Sequence, residues 1–117
     1  MADLEFPFSA RVVAGETNHV IYVDGDLDIS TVPRLTALVR SAIAAGVAVV
    51  RIDLEGVDFM DSTGITALIQ ASLTLRASGR TLFVSRPRPL VARVIDLCGA
   101  RDTLRVVDTD NTPNALD

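Results

Sequence analysis

Strand patterns and helix patterns alternate along this chain, and this alternation constrains the fold more than any other feature of the sequence. The most apolar strand pattern is the run 47–54, in which only Arg51 and Asp53 are charged. A strand that is apolar on both faces is typical of a parallel sheet covered on two sides. Strands that alternate with helices predict a mostly parallel sheet with right-handed crossovers. We therefore expect an α/β fold.

The predicted element order is ββαβαβαβ, with the first strand antiparallel to the second and the helices packed on the sheet. The predicted strands are residues 8–13, 20–23, 47–54, 81–84 and 104–107. The helices should end at glycines, which readily take the left-handed conformation that closes a helix; these glycines are Gly46, Gly79 and Gly99. We expect a single domain over residues 1–117, with a flexible tail at 109–117.

Two acidic segments should meet at one edge of this sheet. Residues 24–29 follow the second strand and residues 56–62 follow the third, and both are predicted to be loops. They leave the carboxyl ends of consecutive parallel strands, where functional groups collect in such sheets. Ser30 or Thr31 should cap the helix that follows the first loop.

The second loop ends in a short polar segment at the start of a predicted helix. Asp61, Ser62 and Thr63 are of the types whose side-chain oxygens bind the unpaired N–H groups of a helix start. Capping of the helix is therefore one interpretation of this segment. A phosphate is also suited to this position, because a helix N-terminus carries partial positive charge and free donors.

Composition and charge exclude several classes of function. The 117 residues are 49% hydrophobic and 22% charged, which favours a globular protein over a disordered one. The net charge of −4 disfavours binding to nucleic acid. The single Cys98 cannot form an internal disulfide, and we expect it in the core. No segment approaches the ~20 apolar residues of a membrane span, and we expect no signal peptide and a cytoplasmic location.

The residue pattern offers little catalytic chemistry. His19 is the only histidine and stands at the start of a strand, away from the two loops, so Ser62 lacks a base to activate it. Neither a phosphate-binding P-loop nor zinc-ligand spacing occurs. We therefore expect no enzyme activity, no cofactor and no metal site.

Two pairs of carboxylates need an interpretation, Asp26 with Asp28 and Asp58 with Asp61. Surface or capping roles are the simplest assignment for them. A weakly bound, hydrated divalent ion is the alternative.

The two acidic segments together resemble the STAS domain family, and in particular bacterial anti-sigma factor antagonists. The resemblance is carried by Asp24-Gly25-Asp26-Leu27-Asp28 and by Asp58-Phe59-Met60-Asp61-Ser62-Thr63-Gly64-Ile65. It implies a STAS fold in which Ser62 accepts a phosphoryl group. It also implies that the unphosphorylated protein binds an anti-sigma factor serine kinase and frees a sigma factor.

The resemblance also implies roles for individual residues. Asp61 should shape the site and Asp28 should lie beside the partner kinase, while Gly64 should let that partner approach the helix start. Thr63 stands where many relatives have serine, and Asp26 stands where glutamate is common. Contacts with the partner are implied for seven residues: Gly25, Asp26, Asp28, Asp61, Ser62, Thr63 and Gly64.

The same resemblance implies how the protein is switched. Phosphorylation of Ser62 should end kinase binding, the N–H groups at the helix start should accommodate the new charge, and a serine phosphatase should reset the protein. We expect a monomer or a weak dimer. Two alternatives stay open: a STAS scaffold or transport-complex subunit that is never phosphorylated, and a small enzyme or nucleotide-binding protein.

Overall fold

A five-stranded sheet organises the chain in a computed structural model, which describes residues 8–108. The strand order is β1-β2-β3-β4-β5; β1 is antiparallel to β2, and each later neighbour is parallel. This confirms the predicted sheet. The strands are β1 Ser9–Ala14, β2 Asn18–Leu27, β3 Val49–Met60, β4 Thr81–Ser85 and β5 Val106–Val107. The tail predicted at 109–117 lies outside the described residues.

The structure has the three predicted helices and a fourth that was not predicted. The helices are α1 Val32–Ala44, α2 Ser62–Ala77, α3 Pro89–Leu97 and α4 Arg101–Leu104. The helix α4 replaces the beginning of the strand predicted at 104–107, and it places Leu104 in the core. A single turn is too short to show helical periodicity in a sequence, which explains the error. None of the helices in the described part of the chain is both long and apolar enough to cross a membrane.

The two faces of β3 carry different side chains. Val50, Ile52 and Leu54 are fully buried and belong to one apolar cluster with the buried side chains of the helices. Arg51 and Asp53 alternate with these residues and therefore point to the opposite face. Residues 49–54 are thus buried on both faces of the strand, but the second face carries the charged side chains of Arg51 and Asp53 rather than a continuous apolar surface.

A buried polar network occupies that opposite face. Arg51 and Asp53 are 3% and 2% exposed, and the Arg51 Nη1 atom lies 3.0 Å from the Asp53 Oδ2 atom. The Ser85 hydroxyl accepts from Arg51 at 2.8 Å and donates to Asp53 at 3.0 Å. Arg86 adds a bond from its Nε atom to the same carboxylate oxygen at 2.9 Å. Buried charges are tolerated when they are paired and hydrogen-bonded in this way.

The predicted loops at 24–29 and 56–62 are wrong over most of their length, because β2 continues to Leu27 and β3 to Met60. Gly25 has a φ of 98°, and the pairing of the two strands shifts register on either side of it. The glycine therefore forms an irregularity within the ladder rather than a turn that ends it. Glycine and aspartate favour turns and bulges alike, so the sequence pattern did not separate the two.

The placement predicted for Cys98 is also wrong, because its side chain is exposed. The helix α3 ends at Leu97, and its buried positions are Val91 and Ile95. Cys98 follows the end of the helix, where the three-to-four residue spacing no longer directs a side chain inward. Leu90, the second residue of α3, is 72% exposed.

Candidate functional site

The ends of β2 and β3 and the start of α2 lie side by side. Asp26 pairs with Phe59 and Leu27 pairs with Met60 across the two strands. A Cβ atom added to Gly64 would lie only 2.7 Å from the Leu27 carbonyl oxygen. The two acidic segments expected to be neighbours are therefore in direct contact.

Asp61 caps α2, as the capping interpretation predicted. Its Oδ1 atom accepts hydrogen bonds from the N–H groups of Thr63 at 2.9 Å and Gly64 at 3.2 Å. Two donors of the helix start are thus already occupied by a carboxylate. In the unphosphorylated protein the Asp61 carboxylate therefore already shares the helix start with Ser62. The expectation that the N–H groups there accommodate the charge of a phosphate on Ser62 stays a prediction.

Ser62 is the first residue of α2, and its side chain is exposed. Its hydroxyl lies in a shallow groove between the starts of α1 and α2, lined also by Val32, Thr63 and Thr66. Another protein can therefore reach this oxygen without any rearrangement of the chain. His19 lies at the opposite end of β2, so it cannot act as a base for Ser62.

The Asp28 carboxylate is directed into its own turn. It accepts from the Ser30 N–H at 3.0 Å and the Ser30 hydroxyl at 2.7 Å, and from the Thr31 N–H at 3.3 Å. The hydrogen bond from the Ser30 hydroxyl is the main reason that the pKa of Asp28 lies below its ordinary value. Asp28 is therefore an ionised side chain whose position is held by Ser30 and Thr31.

Thr31 organises this turn in a way that the sequence analysis missed. It occupies the predicted cap position of α1 but makes no side-chain bond to that helix. Its hydroxyl instead accepts from the Asp28 N–H at 3.0 Å and donates to the Asp26 carbonyl at 2.8 Å. A threonine three residues after an aspartate is a recognised signal for such a local turn.

Arg88 was also missed as a residue of this edge. It precedes α3 and forms an ion pair with Asp58, while its Nε–H donates to the Glu55 carbonyl. Asp58 therefore has a surface role separate from the capping role of Asp61, and both roles were predicted. The partner of Asp58 could be inferred only from the strand order, which places the segment after β4 beside the end of β3.

Gly64 has a different role from the one expected. It is buried beneath the end of β2, and an added Cβ atom would also lie 2.7 Å from the Met60 Cγ atom. Its missing side chain therefore lets β2 pack against α2, and it does not open the surface to a partner.

The edge has a net negative character. Glu55 pairs with Arg86 and Asp58 pairs with Arg88. Over residues 8–108, Asp26, Asp28 and Asp61 form no salt bridge. Three carboxylates without a salt bridge among the described residues therefore belong to the edge of the sheet that carries Ser62, and that of Asp61 directly precedes Ser62 in the chain. No three His, Cys, Asp or Glu side chains of this same part of the chain are arranged to hold a metal ion.

Comparison with known proteins connects this geometry to a family. The model of the STAS domain matches residues 10–112. The anti-sigma-B factor antagonist of Staphylococcus epidermidis is 28% identical over 86 residues, which are 74% of this chain and 80% of that protein.

Solved structures show the same fold. A crystal structure of an anti-sigma factor antagonist from Mycobacterium paratuberculosis has a TM-score of 0.80 at 25% identity, over 89% of this chain and 88% of that one. The unphosphorylated form of the anti-sigma factor antagonist SpoIIAA, a Bacillus protein, has a TM-score of 0.75 at 24% identity, over 90% of both chains. The element order and the mixed sheet are thus those of the family.

Proposed function

This chain belongs to the STAS domain family, and on that premise we propose that it is a cytoplasmic anti-sigma factor antagonist controlled by phosphorylation of Ser62. In its unphosphorylated form it binds an anti-sigma factor that is also a serine kinase, and this binding frees a sigma factor. The observation that carries the proposal is the exposed Ser62 side chain, which directly follows the capping Asp61 at the start of α2. The resemblance of the motif makes Ser62 the counterpart of the family's phosphoacceptor.

In the unphosphorylated protein, which binds the kinase, Ser62 has an uncharged hydroxyl, and the same surface carries carboxylates. Asp26 lies near the end of β2 and Asp28 begins the turn after it, on either side of Leu27, which contacts the start of α2. Both carboxylates belong to the surface that the kinase covers. A kinase that docks here needs basic groups for these carboxylates and an active site that reaches Ser62. Arginine and lysine side chains on the partner also accelerate association with an acidic edge.

The phosphorylated state differs chiefly in charge. A phosphoserine carries about −1.5 to −2 charges at pH 7. Because the Asp61 carboxylate already binds the N–H groups of Thr63 and Gly64, the new charge lies beside an existing negative charge with few local donors to offset it. A hundredfold loss of affinity requires only about 2.7 kcal/mol, which like-charge contacts at an interface can supply. The switch needs no large conformational change.

The proposal makes this chain a substrate of enzymes rather than an enzyme. The kinase transfers the γ-phosphoryl group of ATP to the Ser62 oxygen, whose proton leaves, and ADP is released. A serine phosphatase hydrolyses the ester with water and returns the hydroxyl and inorganic phosphate. The chain itself supplies only the accessible oxygen and the surface on which the kinase docks.

The test is a phosphorylation assay with purified candidate anti-sigma factor kinases and ATP, followed by mass spectrometry. We expect one addition of ~80 Da that maps to Ser62, because this hydroxyl is exposed while Thr63 is half-buried. Ser62→Ala should abolish the addition and Thr63→Ala should retain it. Equal modification of Ser62→Ala and wild type would contradict the proposal, and so would the absence of modification by every kinase of the source organism.

A further inference from the structure

The outer edge of β1 presents backbone groups that are available to a further strand. β1 lies at one end of the sheet and pairs with β2 without any shift of register. The Gly15 N–H donates to the Asn18 carbonyl oxygen at 2.8 Å, so the backbone groups of Gly15 face β2. The direction of hydrogen bonding alternates along an antiparallel strand. The N–H and C=O groups of Ala10, Val12 and Ala14 therefore face outward, and in the described part of the chain no segment other than β2 pairs with β1.

This edge lacks the features that usually prevent a strand from pairing with another chain. Protected edge strands are very short or carry prolines, bulges or several charges. β1 has six residues, five of them exposed, and contains neither proline nor glycine. Its one charged residue is Arg11, whose guanidinium carbon lies 4.3 Å from the centroid of the Tyr22 ring. This charge therefore lies over the sheet of its own molecule, and the edge itself is neutral.

The other edge of the sheet is not available in the same way. It is formed by β5, which has only the two residues Val106 and Val107. Most strands in globular proteins have three to ten residues, so β5 is too short to receive β1 of another molecule. Pairing through β1 therefore cannot continue into a filament. It closes with two molecules, each of which supplies the same strand about a two-fold axis.

We propose that β1 pairs antiparallel with β1 of a second copy of this chain, which joins the two sheets into one. Residues that face each other across antiparallel strands point to the same side of the sheet. The two-fold axis therefore passes beside a single residue, and we place it at Val13, which is 51% exposed and meets Val13 of the second copy. The outward N–H and C=O groups of Val12 then bond with those of Ala14 in the second copy.

The charges near the edge favour this register. With the axis at Val13, Arg11 lies opposite Gly15 of the second copy and next to its Glu16. Glu16 is exposed and forms no salt bridge within residues 8–108. An axis at Arg11 would place two arginines directly opposite each other, which is unfavourable, whereas opposite charges across two strands attract.

This interface lies away from Ser62. Val13 pairs with Val20 near the start of β2, whereas Leu27 at the other end of β2 lies beside the start of α2. A strand rises about 3.3 Å per residue, so these two ends are roughly 20 Å apart. The dimer therefore leaves both Ser62 side chains exposed, and the inference does not depend on the proposed function. One strand pair covers less than the roughly 800 Å² per partner of a stable interface, so the dimer should be weak.

The first experiment measures association by sedimentation velocity at protein concentrations from about 10 μM to about 1 mM. The wild-type sedimentation coefficient should rise from that of a monomer toward that of a dimer. Val12→Pro should raise the dissociation constant at least tenfold, because it removes an outward N–H and no bond to β2. Val13→Lys should do the same, since two like charges would face each other. Leu73→Lys is the matched control, because Leu73 is also 51% exposed but lies on α2.

The second experiment tests the register by disulfide cross-linking, with Cys98→Ser as the background. Val13→Cys should form a disulfide between two molecules, because the Cα atoms of such a directly opposed pair are about 4.5 Å apart, within the range of a disulfide. Val12→Cys should not, because the two Val12 residues are displaced along the strands and lie on a diagonal.

Several outcomes would overturn the proposal. One is a wild-type protein that stays monomeric up to about 1 mM. Others are association that is unchanged in both Val12→Pro and Val13→Lys, association that is lost in Leu73→Lys, or equal cross-linking of Val12→Cys and Val13→Cys. Circular dichroism and thermal unfolding like those of wild type would show that each variant is folded.

Discussion

At the start of α2, two adjacent residues have separate tasks. Asp61 satisfies the N–H groups of Thr63 and Gly64, and Ser62 remains exposed beside it. A helix cap of this kind contributes about 1 kcal/mol to stability. The same carboxylate also sets the electrostatic environment of the Ser62 hydroxyl, so one side chain serves both the fold and the switch that we propose.

The buried carboxylate of Asp53 should contribute strongly to stability, because three side chains bind it. Asp53→Ala removes a partner from Arg51, which is 3% exposed, and from Ser85 and Arg86. Breaking a buried ion pair costs about 3–5 kcal/mol, and urea unfolding should show a loss of this size. Asp58→Ala is the control, because it breaks only the exposed pair with Arg88 and should cost no more than about 1 kcal/mol. Equal losses in the two variants would contradict this account.

Asp53 should also make the free energy of unfolding depend on pH in the acidic range. Burial raises the pKa of Asp53, but hydrogen bonds from Arg86, the Glu55 N–H and Ser85 outweigh burial, so the pKa in the folded protein lies below its ordinary value of 3.8. As pH falls through that ordinary value, the unfolded chain binds a proton first. The free energy of unfolding should therefore fall below about pH 4, and it should fall less steeply in Asp53→Asn. Urea titrations from pH 7 to pH 3 measure both slopes, and parallel slopes would exclude Asp53 as the cause.

At the scale of elements, the sequence predicts which segments form strands and helices better than it predicts where they end. The apolar run 47–54 correctly indicates β3, yet the strand continues through the polar and charged residues to Met60. This second half of β3 pairs with the carboxyl end of β2. The residue pattern of one segment does not show which strand it will pair with. The placement of Cys98 shows the same limit, because its exposure depends on where α3 ends. The ion pair of Arg88 with Asp58 shows it too, because it depends on which strands are neighbours in the sheet.

The contact between β2 and α2 depends on Gly64. The sign of the stability change in Gly64→Ala tests this dependence. Glycine-to-alanine changes in exposed helices usually stabilise by up to about 1 kcal/mol. Gly64→Ala should instead destabilise by about 1–3 kcal/mol, because its Cβ atom would lie 2.7 Å from the Leu27 carbonyl oxygen. Thr66→Ala, exposed in the same helix, is the control and should be neutral or slightly stabilising. A Gly64→Ala protein with a raised thermal unfolding temperature would mean that the two elements do not pack closely.

At the scale of the whole molecule, the strand order brings residues that are more than thirty positions apart in sequence together at one edge of the sheet. The alternation of strands and helices predicted that residues 24–29 and 56–62 would be neighbours, and the pairing of β2 with β3 confirms it. The polar segment at the helix start predicted that Asp61 would cap α2. Nothing in the sequence pattern predicted that the Thr31 hydroxyl would hold the acidic turn, because this depends on side-chain geometry. We propose that a change of charge at Ser62 alone alters what this surface binds.

The most direct test of this account compares the affinity of one kinase for the unphosphorylated and the Ser62-phosphorylated protein, measured by calorimetry with ADP bound. We expect phosphorylation to weaken binding by about a hundredfold, which corresponds to about 2.7 kcal/mol. Ser62→Asp should bind weakly, Ser62→Ala should bind as tightly as the unphosphorylated protein, and Ser41→Asp should leave the affinity unchanged. Equal affinities for the phosphorylated and unphosphorylated proteins would contradict the central claim that charge at Ser62 controls association.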